Sequence, residues 1–71
     1  INLLRCRNIT DKGLEFLKGV HSINLNYTNI TDKGLEFLTG VQEINLWECQ
    51  NITDKGLKYL RNNGTINIQH N

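Results

Sequence analysis

The sequence predicts an α/β fold: a solenoid in which each repeat of about 22 residues supplies one short parallel strand and one short helix, curved with the strands on the concave face. Two repeated elements carry this reading. The string Ile-Thr-Asp-Lys-Gly-Leu-Glu-Phe-Leu fills residues 9–17 and again 30–38, and the variant Ile-Thr-Asp-Lys-Gly-Leu-Lys-Tyr-Leu fills 52–60. A short element, Ile-Asn-Leu or Ile-Asn-Ile, begins at Ile1, Ile23, Ile44 and Ile66. The two differ in hydrophobic period, which assigns one to a strand and the other to a helix.

Around Ile23 and Leu25, apolar and polar residues alternate, as on a strand with one buried face. Around Leu35 and Leu38, apolar residues recur three apart, as on one face of a short helix. Thr31 stands at the N-cap position, and Asp32 follows in the first turn, where the helix dipole favours a negative charge. Gly40 closes the unit as a helix C-terminal residue. The units span about 1–22, 23–43 and 44–65, with a terminal strand at 66–71. No unit this short can bury its own apolar face, so neighbours must stack. Parallel strands lie about 4.8 Å apart and helices about 10 Å, so a stack bends toward its strand side.

The pattern Ile-x-Leu-x-x-Cys-x-x-Ile-Thr-Asp-x-Gly-Leu-x-x-Leu resembles the leucine-rich repeat, in its cysteine-containing subtype, over the whole chain. That subtype is familiar from F-box proteins. The resemblance therefore implies protein–protein interaction and, in its narrower form, the substrate-recognition arm of a ubiquitin ligase that meets a Skp-type adapter through an F-box outside these residues. Two departures stand out. Thr28 replaces the cysteine of the second unit and is followed by a one-residue deletion, and Asn62-Asn63-Gly64 replaces the Gly-Val of the earlier units.

Equivalent positions of a stack form columns. The core columns are Ile1, Ile23, Ile44 and Ile66; Leu3, Leu25, Leu46 and Ile68; Ile9, Ile30 and Ile52; and the helical leucines Leu14, Leu35, Leu57 and Leu17, Leu38, Leu60, with Val20 and Val41 below. Cys6, Thr28, Cys49 and Asn71 form a turn column whose side chains are expected to bond to backbone. Cys6 and Cys49 lie two repeats apart, about 10 Å by strand spacing, too far for a disulfide. Phe16, Phe37 and Tyr59 form a stripe expected to pack between helices. The aspartates Asp11, Asp32 and Asp54 beside Lys12, Lys33 and Lys55 read as a solvated face. Gly13, Gly34 and Gly56, in the first helical turn where glycine costs about 1 kcal/mol against alanine, imply either close approach of a neighbouring unit or an unusual backbone angle.

The candidate partner-binding surface is the concave face. Asn2, Asn24, Asn45 and Asn67 form its middle column, read first as an asparagine ladder and second as a polar floor for a ligand. Beside it lie Leu4, Asn26, Trp47 and Gln69, then Arg5, Tyr27, Glu48 and His70. These positions vary while their surroundings repeat, and Trp, Tyr and Arg are the usual anchors of interfaces. Trp47, flanked by Tyr27 and Asn26, is the leading anchor. An architectural spacer without a ligand is the competing reading.

Composition narrows the function classes further. The 71 residues carry 8 basic and 7 acidic side chains, a net charge of +1 without clustering, which argues against nucleic acid or a membrane surface as the partner. No apolar run exceeds two residues, so nothing in the sequence reads as a membrane span or signal peptide. No nucleophile, acid–base pair or metal-ligand spacing is present, and the expectation is a non-enzymatic protein without cofactor. Residue 1 is not Met, which predicts a piece of a longer array whose open edge would favour end-to-end self-association. Unpaired thiols favour an intracellular, cytoplasmic setting, with a secreted protein as the lower-ranked alternative. Asn8, Asn26, Asn29, Asn51 and Asn63 begin Asn-x-Ser/Thr triplets, but three of these are the repeat element itself.

Overall fold

The computed structural model describes residues 1–70. Asn71, assigned above to the turn column and the terminal strand, lies outside the described residues. Strand and helix alternate along the chain. A 3-10 helix, Lys12–Leu17, leads to β1 (Ser22–Asn24), then α1 (Asp32–Leu35), which tightens into a 3-10 turn at Glu36–Leu38. β2 (Glu43–Asn45), α2 (Asp54–Asn62) and β3 (Asn67–Gln69) follow. The strands form one parallel sheet in the order β1-β2-β3. Asn2 extends it by a single bridge to Asn24. The result is an α/β repeat fold.

The core lies between the sheet and the helices. Ile23, Leu25, Ile30, Leu35, Leu38, Val41, Ile44, Leu46, Leu57 and Leu60 are buried in one cluster with Leu14 and Cys49. Leu3, Ile9, Leu17, Val20, Phe37, Ile52 and Ile68 pack against its margin. These are the columns that alternation and three-residue spacing predict. Thr31 caps α1, accepting the Lys33 N–H, as its position before Asp32 implies.

The end of the array departs from the sequence reading. By motif, Ile66 should fall beside Ile44 and Asn67 beside Asn45. The observed register instead pairs Glu43 with Asn67, Ile44 with Ile68 and Asn45 with Gln69, a shift of two residues. The reason lies upstream. Each helix ends at a left-handed glycine, Gly19 (φ 84°), Gly40 (φ 90°) or Gly64 (φ 98°), and the buried strand isoleucine follows four residues later, at Ile23, Ile44 or Ile68. α2 is longer than its counterparts, so Gly64 comes two residues late and carries the strand with it. Backbone bonds obey the same alignment. Gln42 and Glu43 both donate to the His21 carbonyl, and Ile66 and Asn67 both donate to Gln42. A shift of two preserves which side chains face inward but changes their columns.

Three consequences correct the sequence reading. Ile66 is not core but 80% exposed, at the position of His21 and Gln42. Thr65 takes the place of Val20 and Val41 and is buried, with no partner for its hydroxyl. Ile1, also assigned to the core columns, is exposed.

Asp54 and the lysines Lys12, Lys33 and Lys55 are exposed as expected, but Asp11 and Asp32 are not part of a solvated ladder. Asp11 reaches across to the next repeat: one carboxylate oxygen accepts the Thr31 N–H at 2.8 Å and the other the Thr31 hydroxyl at 2.6 Å. Asp32 holds Thr53 in the same way, through its N–H at 2.8 Å and its hydroxyl. This clasp explains the glycines. A Cβ on Gly34 would stand 2.5 Å from the Asp11 carboxylate, and one on Gly56 would collide with Asp32. A Cβ on Gly13 would meet only ordinary contacts from Ile9 and Thr10.

Candidate functional site: the outer face of the sheet

The site is built on the turn that follows each strand. Three residues predicted to line it, Arg5 (φ 61°), Tyr27 (φ 61°) and Glu48 (φ 58°), hold left-handed backbone angles. Side chains with a Cβ rarely adopt that region, and each such residue costs about 1–2 kcal/mol. The turn imposes it. Cys6 N–H closes back on the Leu3 carbonyl at 3.0 Å and Cys49 N–H on Leu46 at 3.3 Å, leaving Arg5 and Glu48 at the third position, where positive φ is required. At Thr28 the hydroxyl closes the turn on the Leu25 carbonyl at 2.8 Å.

The strain has a geometric effect. Strict alternation would bury one residue of each pair 4–5, 26–27 and 47–48; the left-handed turn directs both members away from the core. Leu4 is 43% exposed, Tyr27 37% and Trp47 40%. The turns are tied across repeats. Arg5 N–H donates to the Asn26 carbonyl at 2.9 Å and Tyr27 N–H to the Trp47 carbonyl at 2.8 Å. The Trp47 N–H donates to the Asn26 side-chain oxygen at 2.8 Å. Arg5 also lies over the Tyr27 ring, with its guanidinium carbon 5.0 Å from the ring centre, a cation–π contact.

The expected asparagine ladder takes another form. Asn24 turns its side-chain oxygen back onto the Asn26 N–H at 2.9 Å, and Asn2 does the same to Leu4 at 3.0 Å. These are local turn bonds two residues along the chain, the preferred use of a short amide where a strand ends. In the corrected register, Gln69 continues the column of Asn24 and Asn45, while Asn67 stands beside Glu43. His70 then follows Leu46 rather than Glu48. So the structure brings Arg5, Tyr27, Glu48, Asn26, Trp47, Asn24 and Asn45 together, adds Gln69 to the middle column, and moves Asn67 and His70 out of the columns the motif assigned.

The turn column is structural where a repeat precedes it. Cys49 is buried and its thiol donates to the Leu25 carbonyl of the preceding repeat at 3.0 Å, an oxygen that Thr28 also uses. Cys6 has no such neighbour and is exposed; both thiols are free.

Sequence reasoning missed a polar groove of about 280 Å³ beside these turns, lined by Arg7, Tyr27, Asn29, Glu48, Gln50 and Asn51. Arg7 donates to the Asn29 side-chain oxygen at 3.5 Å, and the Asn51 amide donates to the Asn29 carbonyl at 3.4 Å. The signal was the repeated Asn of each Asn-Ile-Thr element, read above only as part of a glycosylation triplet. Among the described residues no His, Cys, Asp and Glu cluster has the arrangement of a metal site. Among the described residues no helix is long and apolar enough to cross a membrane.

A family model described as Leucine Rich repeat matches residues 20–38, the segment from Val20 through β1, the Tyr27 turn and α1. That segment is similar to a leucine-rich repeat. No curated protein and no solved structure matches the chain. Leucine-rich repeats commonly mediate protein–protein interaction and are typically non-enzymatic. The following unit, β2 with α2, joins the matched segment through the sheet and an Asp32–Thr53 clasp, and the preceding residues join it through the Asn2–Asn24 bridge and an Asp11–Thr31 clasp.

Proposed function

We propose that this chain is a protein-interaction module that binds a protein partner through the outer, concave face of its sheet. Trp47 and Tyr27 are the aromatic anchors, Arg5 and Glu48 supply charge on either side, and Asn24, Asn45 and Gln69 form the polar floor. The observation that supports this most is the repeated left-handed turn. It places consecutive side chains of adjacent repeats in one exposed aromatic and cationic strip, on a backbone already cross-linked by hydrogen bonds. Exposed aromatics and arginine on a pre-organised scaffold lose little freedom on binding, which is how a few residues come to dominate an interface.

The substrate-recognition arm of an F-box ubiquitin ligase is the narrower reading. Cys49, the residue that marks the cysteine-containing subtype, is buried with its thiol on the neighbouring repeat, which favours that subtype and a reducing, intracellular setting. Its Skp-type adapter would be met outside these repeats, so both readings use the same face for recognition.

The test is selection of binders from a displayed protein library against the intact chain. Each binder is then titrated against a Tyr27→Ala/Trp47→Ala variant and a helical-face Lys33→Ala/Glu36→Ala variant. Loss confined to the first variant supports the proposal. Binders that follow the helical face, or a chain that selects none, would favour another surface or an architectural spacer.

A further inference from the structure

We propose that the groove beside the turns seats a polar loop of the protein partner, one that sets a carboxylate against Arg7 and a basic side chain against Glu48. This rests on the reading that the outer sheet face binds protein, and it assigns the chemistry of the bound segment.

The groove exists because the middle repeat is short. In the first repeat a second turn follows the strand turn, closed by the Ile9 N–H on the Cys6 carbonyl at 3.2 Å. The third repeat makes the same turn, closed by the Ile52 N–H on the Cys49 carbonyl at 3.1 Å. The middle repeat runs from Thr28 to Ile30 through Asn29 alone, one residue fewer, and makes no such turn. Two turns therefore flank a lowered repeat. Arg7 forms one wall, Glu48, Gln50 and Asn51 form the other, and Tyr27 and Asn29 lie between them. Both walls are tied to the floor, by the Arg7 bond to the Asn29 side-chain oxygen and the Asn51 bond to the Asn29 carbonyl. The walls stand two repeats apart, about 10 Å by strand spacing. An extended loop fits that width, whereas a helix with its side chains is about 10–12 Å across.

The charges give the groove a direction. Arg5 and Arg7 belong to the first repeat, Glu43 and Glu48 to the third, and the stretch 22–29 between them carries no charged side chain. Arg5 lies over the Tyr27 ring, which leaves Arg7 as the cation of the groove wall. A ligand of one sign would be repelled at one wall, and an uncharged one would cover both charges without replacing their water. A loop with an acidic and a basic residue about 10 Å apart satisfies both. The amides of Asn29, Gln50 and Asn51 each offer donors and an acceptor, as a peptide backbone requires.

The experiment selects random displayed peptides against the intact chain, reads their sequences, and titrates each against variants whose folding is checked by thermal melts. Arg7→Glu reverses one wall. One glutamine inserted after Thr28 restores the longer turn of the other repeats and fills the groove without changing charge. Trp47→Ala removes an anchor outside the groove. Selected peptides should carry one acidic and one basic residue, and should lose about tenfold or more in affinity with Arg7→Glu and with the insertion. The double variant Arg7→Glu/Glu48→Arg should prefer the same peptide with its acidic and basic residues exchanged; Arg5 shows that arginine is accommodated at the left-handed position of Glu48. Peptides that depend on Trp47 but ignore Arg7→Glu and the insertion would overturn this inference and leave the binding face standing. Failure of the exchanged peptide to recover binding would overturn it as well. Peptides insensitive to all of the variants, or none selected, would overturn both readings.

Discussion

Thr65→Val should stabilise this protein. Thr65 is 6% exposed, its hydroxyl is buried without a partner, and the equivalent positions in the other repeats hold Val20 and Val41. An unsatisfied buried polar group costs about 1–3 kcal/mol. Valine has the same shape and adds a buried methyl, so the gain should be about 1–2 kcal/mol. For a domain of this size that raises Tm by about 5–10 °C. The assay is urea unfolding, read as a higher midpoint at constant slope. The same substitution tests the register of β3. If Ile66 rather than Ile68 stood beside Ile44, Thr65 would fall at the exposed position of Glu43, and the change would stay within about 0.5 kcal/mol. Ile66→Ser is the companion measurement. It should be nearly silent at an 80% exposed site, but would cost about 2–4 kcal/mol if Ile66 filled the buried column. A silent Thr65→Val together with a costly Ile66→Ser would refute the reasoning.

The clasps and glycines give further tests. Asp32→Ala should cost about 1–3 kcal/mol, because two hydrogen bonds from Thr53 lose a charged acceptor, whereas Asp54→Ala should cost about 0.5 kcal/mol or less; denaturant titration separates them. Equal effects would return the aspartates to a solvated face. Gly13→Ala should be neutral or stabilising by up to about 1 kcal/mol, because a Cβ there would meet only ordinary contacts from Ile9 and Thr10, while Gly34→Ala should destabilise by forcing the Asp11 carboxylate away; thermal melts of the two should move in opposite directions.

Much of the fold was legible because the repetition encodes it. The alternation through Ile23 and Leu25, the three-residue spacing of Leu35 and Leu38, the Thr31 cap and the crowding at Gly34 all follow from local pattern. The register of β3 was hidden because Ile66-Asn67-Ile68 imitates the strand motif, while the chain is governed by the distance from Gly64. Counting four residues from each left-handed glycine would have found it. Asp11 and Asp32 were misread because an aspartate beside a lysine carries no sign of which neighbour it reaches. In the candidate site, exposure of Tyr27 and Trp47 could be inferred from variation among repeats. The left-handed angles of Arg5, Tyr27 and Glu48 could not, because none of these residue types favours that region, and only the turn closed by Cys6, Thr28 and Cys49 forces it.

The central claim is that the outer sheet face recognises a protein. The most direct measurement is an NMR titration of the labelled chain with a selected protein binder, following the Trp47 indole N–H and the backbone amides. The account predicts saturable shifts at Trp47, Glu48, Asn26 and Tyr27, with Lys12, Lys33 and Lys55 on the helical side unmoved. Shifts centred on those lysines, with Trp47 undisturbed, would contradict it.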